Sequence, residues 1–94
     1  MTKENLINMI SRATRMDTIS AEELDLYRTN VECDGKVYDV YLAGNDEMFD
    51  VNEFYQIGID PINDKTYKFY FEVGENDLDD IDYTKAYRME EIDN

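Results

Sequence analysis

Carboxylates are the side chains through which this sequence could do chemistry. Glu75, Asp77, Asp79, Asp80 and Asp82 crowd one short stretch, and Asp46, Glu47 and Asp50 form a second group. Closely spaced carboxylates suit three tasks: acid–base work on a glycosidic bond, coordination of a hard cation, and attraction of a basic partner. Glycoside hydrolysis needs only two carboxylates at a set separation, but among 23 acidic residues no pair stands out. The chain has no histidine, so the commonest general base and transition-metal ligand is absent, and neither Ser11 nor Ser20 has a triad partner. So short a chain also has little material for a walled substrate cleft. No catalytic residue is therefore expected.

The cation reading fails in detail. If Asp77 and Asp79 take the first and third positions of an EF-hand loop, Ile81 falls at the fifth. Asp82 then stands where the turn glycine belongs, and Arg88 replaces the bidentate glutamate. The four glycines, Gly35, Gly44, Gly58 and Gly74, are too dispersed for a phosphate-cradling loop. Cys33 is the only cysteine, flanked by Glu32 and Asp34, which disfavour a thiolate; it reads as an inert strand residue, with no disulfide or metal cluster open to it. Neither a metal site nor a cofactor is expected.

Attraction of a basic partner remains. Nine basic residues leave a formal net charge of −14, beyond the magnitude of about 2–8 usual for a small soluble domain. General electrostatics then excludes direct binding to nucleic acid or an anionic membrane, both of which need Lys and Arg to neutralise phosphate. The expected partner is the basic surface of a nucleic-acid-binding protein. Carboxylates two apart on a strand are separated by about 6–7 Å, and those three or four apart on a helix by about 5–6 Å, spacings like those of successive phosphates.

The elements that must hold these groups follow from periodicity. With 94 residues the chain is expected to be one α+β domain. Residues 1–16 predict an amphipathic helix, with Leu6, Ile7, Ile10 and Ala13 on one stripe. Lys3, Arg12 and Arg15 against Glu4 give this segment a small positive excess. Ser20 and Glu23 have capping-box spacing and predict a short helical turn.

Residues 26–43 predict a first hairpin, turned by Asp34-Gly35, in which Cys33 faces Lys36, Val31 faces Tyr38, Thr29 faces Val40 and Tyr27 faces Leu42. Residues 54–73 predict a second. Facial consistency selects a five-residue loop from Pro61 to Lys65, so that Ile59 faces Tyr67, Ile57 faces Phe69 and Tyr55 faces Phe71. An acidic loop over 74–82, with Asp77 as a cap and Leu78 and Ile81 as apolar anchors, leads to a fifth strand over 83–90, with Glu90–Asn94 frayed. The expected architecture is the N-terminal helix packed on an antiparallel sheet of two hairpins plus that C-terminal strand.

The two hairpins share a pattern, since Lys36, Tyr38 and Tyr41 align with Lys65, Tyr67 and Tyr70. Tyr41 and Tyr70 fall on the face opposite the main apolar one. If the helix takes one face, the other can present these aromatics among acids to a basic partner whose Arg side chains stack on rings. The other arrangement is a sheet covered on both sides or paired with a second copy.

In composition, though in no alignable segment, the chain resembles phage and mobile-element inhibitors of host defence, including anti-CRISPR and antirestriction proteins. That resemblance implies a nucleic-acid-mimic inhibitor acting on the basic DNA- or RNA-binding surface of another protein. It transfers no residues; the clustering of acids and the face of the two tyrosines make Glu75, Asp77, Asp79, Asp80, Asp82, Asp46, Glu47, Asp50, Tyr41 and Tyr70 the expected contacts. The alternative is a non-mimic interaction module or immunity-type protein, homodimeric in one version, whose acidity serves solubility. The sequence holds no apolar run long enough to span a bilayer, and Met1–Leu6 lacks the apolar stretch of a signal peptide, so a cytoplasmic location is expected.

Overall fold

A computed structural model describes residues 1–74 and 80–92. Helix α1, Lys3–Thr14, begins where the Thr2 hydroxyl accepts the Asn5 N–H at 3.1 Å and ends at Arg15, whose φ of 61° is left-handed. The Met16 N–H then reaches back to the Ser11 carbonyl at 3.0 Å, satisfying a group the helix end would leave unpaired. Leu6, Ile10 and Ala13 form its buried stripe. The capping box forms as its spacing requires: the Glu23 N–H donates to the Ser20 hydroxyl and the Ser20 N–H to the Glu23 carboxylate, each at 3.2 Å. A 3₁₀ helix, Glu23–Tyr27, follows.

Six strands come next: β1 Arg28–Cys33, β2 Lys36–Ala43, β3 Phe49–Asp50, β4 Glu53–Asp60, β5 Lys65–Tyr70 and β6 Arg88–Ile92. They form one antiparallel sheet in the order β1-β2-β4-β5-β6, with β3 beside β4. The fold is α+β, as the periodicity predicts. Asp34 and Gly35 turn the first hairpin with φ of 55° and 78°, and Cys33–Lys36, Val31–Tyr38 and Thr29–Val40 pair in the expected register. Tyr27 lies in the 3₁₀ helix rather than opposite Leu42, and its side chain packs toward α1.

The second hairpin departs from expectation by one residue. Asp60 pairs with Lys65, Ile59 with Thr66, Ile57 with Lys68 and Tyr55 with Tyr70, so the loop has four residues, Pro61–Asp64. The reason is that both faces of β4 are covered. Phe54, Gln56 and Gly58 share a face with Tyr67 and Phe69, whereas Ile57 and Ile59 face the helix. A register rule that seeks a single apolar face fails when the sheet is buried on two sides.

Those two sides carry two cores. Against α1 lie Ile19, Leu24, Ala43 and Ile59, with Tyr41 and Ile57 partly buried. On the opposite face Val31, Val40, Phe54, Phe69 and Phe71 pack with Ala86. The chain before β6 closes this second core. Glu32 donates its N–H to the Thr84 carbonyl at 2.8 Å and accepts from Ala86 at 2.9 Å, while the Tyr87 N–H reaches Tyr70 at 3.0 Å. The sheet is thus tied from β1 to β5 into a barrel-like ring. The C-terminal strand runs over Arg88–Ile92 rather than 83–90, because residues 84–87 make this closure, and Glu90 and Glu91 are paired in it rather than frayed.

Burying a Phe or Ile side chain contributes about 1.5–3 kcal/mol, whereas an exposed ion pair contributes at most about 1 kcal/mol. The cores, not the ion pairs, offset the self-repulsion of the net charge. Among the described residues no helix is long and apolar enough to cross a membrane.

Candidate functional site

The acidic residues predicted to meet a partner occupy different settings. Glu75, Asp77 and Asp79, with the proposed cap Asp77 and anchor Leu78, lie outside the described residues. Asp46 is exposed in the loop between β2 and β3. Glu47, beside it, pairs with Arg15 at 2.8 Å, and that hydrogen bond holds its carboxyl below the ordinary value. Asn45 fastens the same loop to the end of α1 through the Ala13 carbonyl at 2.9 Å. The basic excess of the helix is therefore spent partly on the first acidic loop.

Asp50 ends β3 and accepts the Tyr70 hydroxyl at 3.0 Å. Tyr70 has no exposed surface. Tyr41 is half-buried against the helix core. The helix core takes up Tyr41, and Arg88 with the Tyr55 and Tyr87 rings covers Tyr70, so neither offers a free ring; Tyr70 instead supports what surrounds it. Asp82 caps the following turn by accepting the Thr84 N–H at 3.0 Å and the Thr84 hydroxyl, which lowers its pKa. Exposed Asp80 lies over Gly74, where a Cβ would come within 2.7 Å of its carboxylate.

The structure assembles a network around Tyr70 that periodicity does not disclose. Arg88 stacks on the Tyr70 ring with its guanidinium carbon 3.8 Å from the centroid. It donates to Glu53 at 3.0 Å and to Glu90. The Tyr70 hydroxyl lies 3.0 Å from Asp50 and 3.3 Å from Glu90, so those carboxylates stand within about 6 Å of each other. Tyr87 donates to Glu53 at 2.8 Å. Two carboxylates thus grip one guanidinium, while a third, Asp50, meets the hydroxyl of the ring beneath it.

These contacts set the protonation states. Burial, then the hydrogen bond to Asp50, pushes the Tyr70 hydroxyl up to about 12. Burial and the bond to Glu53 push Tyr87 to about 12 as well. Glu53 is lowered, chiefly by Tyr87 and further by Arg88. Burial works against the Arg88 charge, but its bonds to Glu53 and Glu90 outweigh that and raise its pKa.

Beside the network runs a groove of about 470 Å³ lined by Phe54, Phe71, Glu72, Val73 and Tyr87, with Asn52 and Glu53 at its rim. A second hollow of about 350 Å³ shares Glu72 and Tyr87 and extends to Asp82 and Lys85. The two hollows bring Glu53, at the start of β4, to the same surface as Glu72 and Asp82, which precede β6. Sequence spacing missed Glu53, Glu72, Tyr87, Arg88 and Glu90. Arg88 was the available signal, as one of two cations, with Lys85, in an acidic segment, but nothing local shows that it reaches a residue 35 positions earlier. Among the described residues no group of acidic or cysteine side chains is arranged to hold a metal. No family model, curated protein or solved structure matches the chain.

Proposed function

We propose that this protein is an acidic inhibitor that occupies the basic nucleic-acid-binding surface of another protein, in the manner of a nucleic-acid mimic such as an anti-CRISPR or antirestriction protein. The observation that carries the reading is the uncompensated charge. Acidic residues number 23 against nine basic, and four of those basic side chains are already engaged by Glu47, Asp39, Glu91 and the Glu53–Glu90 pair. Many carboxylates are left facing solvent on a rigid two-core scaffold. A partner lined with Lys and Arg would meet them as it meets phosphate, quickly and in a salt-sensitive way.

Replacing Glu75, Asp77, Asp79, Asp80 and Asp82 together by their amides tests this. The amide at position 82 keeps the acceptor that caps Thr84, so the fold is preserved while charge is removed. Capture of the partner should weaken and lose most of its salt dependence. Unchanged affinity would remove this segment from the contact surface.

A further inference from the structure

We propose that the groove beside Tyr87 is a seat for an arginine side chain carried on an extended segment of a partner protein. This rests on the reading of the chain as a binder of basic surfaces and adds the place and the residue type. The argument begins with a guanidinium the protein already holds. Arg88 lies on the Tyr70 ring and is pinned by Glu53 and Glu90. Tyr87 is the neighbouring ring, with centroids 6.4 Å apart, and it is 48% exposed where Tyr70 is fully buried. Tyr87 offers an unoccupied copy of the platform that Arg88 fills.

The carboxylate needed beside it is Glu72. Both Glu53 oxygens accept from Tyr87 or Arg88, but Glu72 is exposed and makes no ion pair or hydrogen bond among the described residues. Its charge nevertheless reaches the Tyr87 hydroxyl. Phe54, Phe71 and Val73 supply an apolar floor for the methylene stem. Charge complementarity places the guanidinium at Glu72, the carboxylate that the groove shares with the neighbouring hollow, in which Lys85 stands beside Asp82.

A planar guanidinium both stacks on a ring and forks onto a carboxylate, whereas an ammonium does neither as well, so the seat should prefer Arg over Lys. An extended protein segment is the occupant because the groove continues at Asn52 into the β3–β4 turn. There Val51 projects at 88% exposure, with exposed Phe49 packed on Phe54 beneath it. An apolar knob beside an arginine seat suits a chain crossing both.

Titration of the full-length, isotope-labelled protein by NMR with a blocked alternating Arg-Leu peptide, and separately with its Lys-Leu counterpart, tests this at low salt. The Arg peptide should bind about five- to tenfold more tightly. Its shifts should concentrate at residues 71–73 and 87. Glu72→Gln and Tyr87→Ala should each abolish the preference, and Tyr87→Phe should retain it. If Tyr87→Ala does not fold, the exposed Glu72→Gln carries the test alone. Equal binding of the two peptides, or a preference that survives Glu72→Gln, overturns the arginine seat and leaves the general charge reading standing. Failure of both peptides to bind overturns both.

Discussion

The Tyr70 hydroxyl joins Asp50 and Glu90, two carboxylates each 20 residues from it along the sequence, while Arg88 covers the same ring. One side chain with no exposed surface thereby holds two like charges close together, and the cation above it keeps the arrangement from repelling itself. Its proton is integral to the arrangement. In the folded chain Tyr70 and Tyr87 keep their protons up to about 12, whereas an ordinary tyrosine releases its own near 10.0. The raised folded pKa means that their contribution to stability is complete below pH 10 and is lost as pH rises through about 12. Tyrosinate absorbance should show Tyr70 and Tyr87 as the latest of the eight tyrosines to titrate, together with unfolding, with Tyr67 also raised by burial. Tyr70→Phe should remove one of them and cost about 1 kcal/mol in denaturant melts, the worth of a hydrogen bond whose acceptors lose their donor. A late class unchanged by that substitution would contradict the network.

Val51 should be the easiest position at which to stabilise the protein. It has φ of 61° and is 88% exposed at the tip of the β3–β4 turn. A β-branched residue is strained in that conformation, at a cost on the order of 1–3 kcal/mol, while glycine adopts it freely. Val51→Gly should raise the thermal midpoint. Because Val51 is the knob beside the proposed arginine seat, the same variant should weaken partner binding, separating stability from function. A lowered midpoint would show that the turn does not hold this strain.

Gly58 should tolerate no side chain. A Cβ there would come within 2.3 Å of the Phe69 ring, which lies across the strand with no exposed surface. Gly58→Ala must move a ring packed against Val40 and Phe54. A loss of roughly 1–3 kcal/mol is expected, as for an overpacked core. Gly35→Ala is a useful contrast, because nothing lies within 4 Å of its Cβ position and only the φ of 78° penalises it.

Local signals made the helix, the capping box and the first hairpin legible, because each is set within a few residues. Thr2, Ser20 with Glu23, and Asp34-Gly35 all behave as their chemistry dictates. Gly58 and Gln56 misled the second hairpin. They stand where an alternating pattern places polar or solvent-facing residues, yet both are buried beside Phe69 and under Gly44. The site was hidden for a different reason. Asp50 and Tyr70 could be named from sequence, but Glu53, Tyr87 and Arg88 join them only after residues 84–87 cross from β1 to β5. That closure is a property of the folded ring and leaves no periodic trace.

The central claim is that a basic nucleic-acid-binding surface is what this protein's carboxylates meet. Its most direct test immobilises the full chain, captures proteins from a host lysate at low salt, and then challenges the bound fraction with a duplex DNA or RNA oligonucleotide at the same salt. The account predicts that nucleic-acid-binding proteins are enriched, that the oligonucleotide displaces them, and that raised salt does the same. Enrichment of no nucleic-acid-binding protein, or retention of the captured partner against excess oligonucleotide, would contradict it.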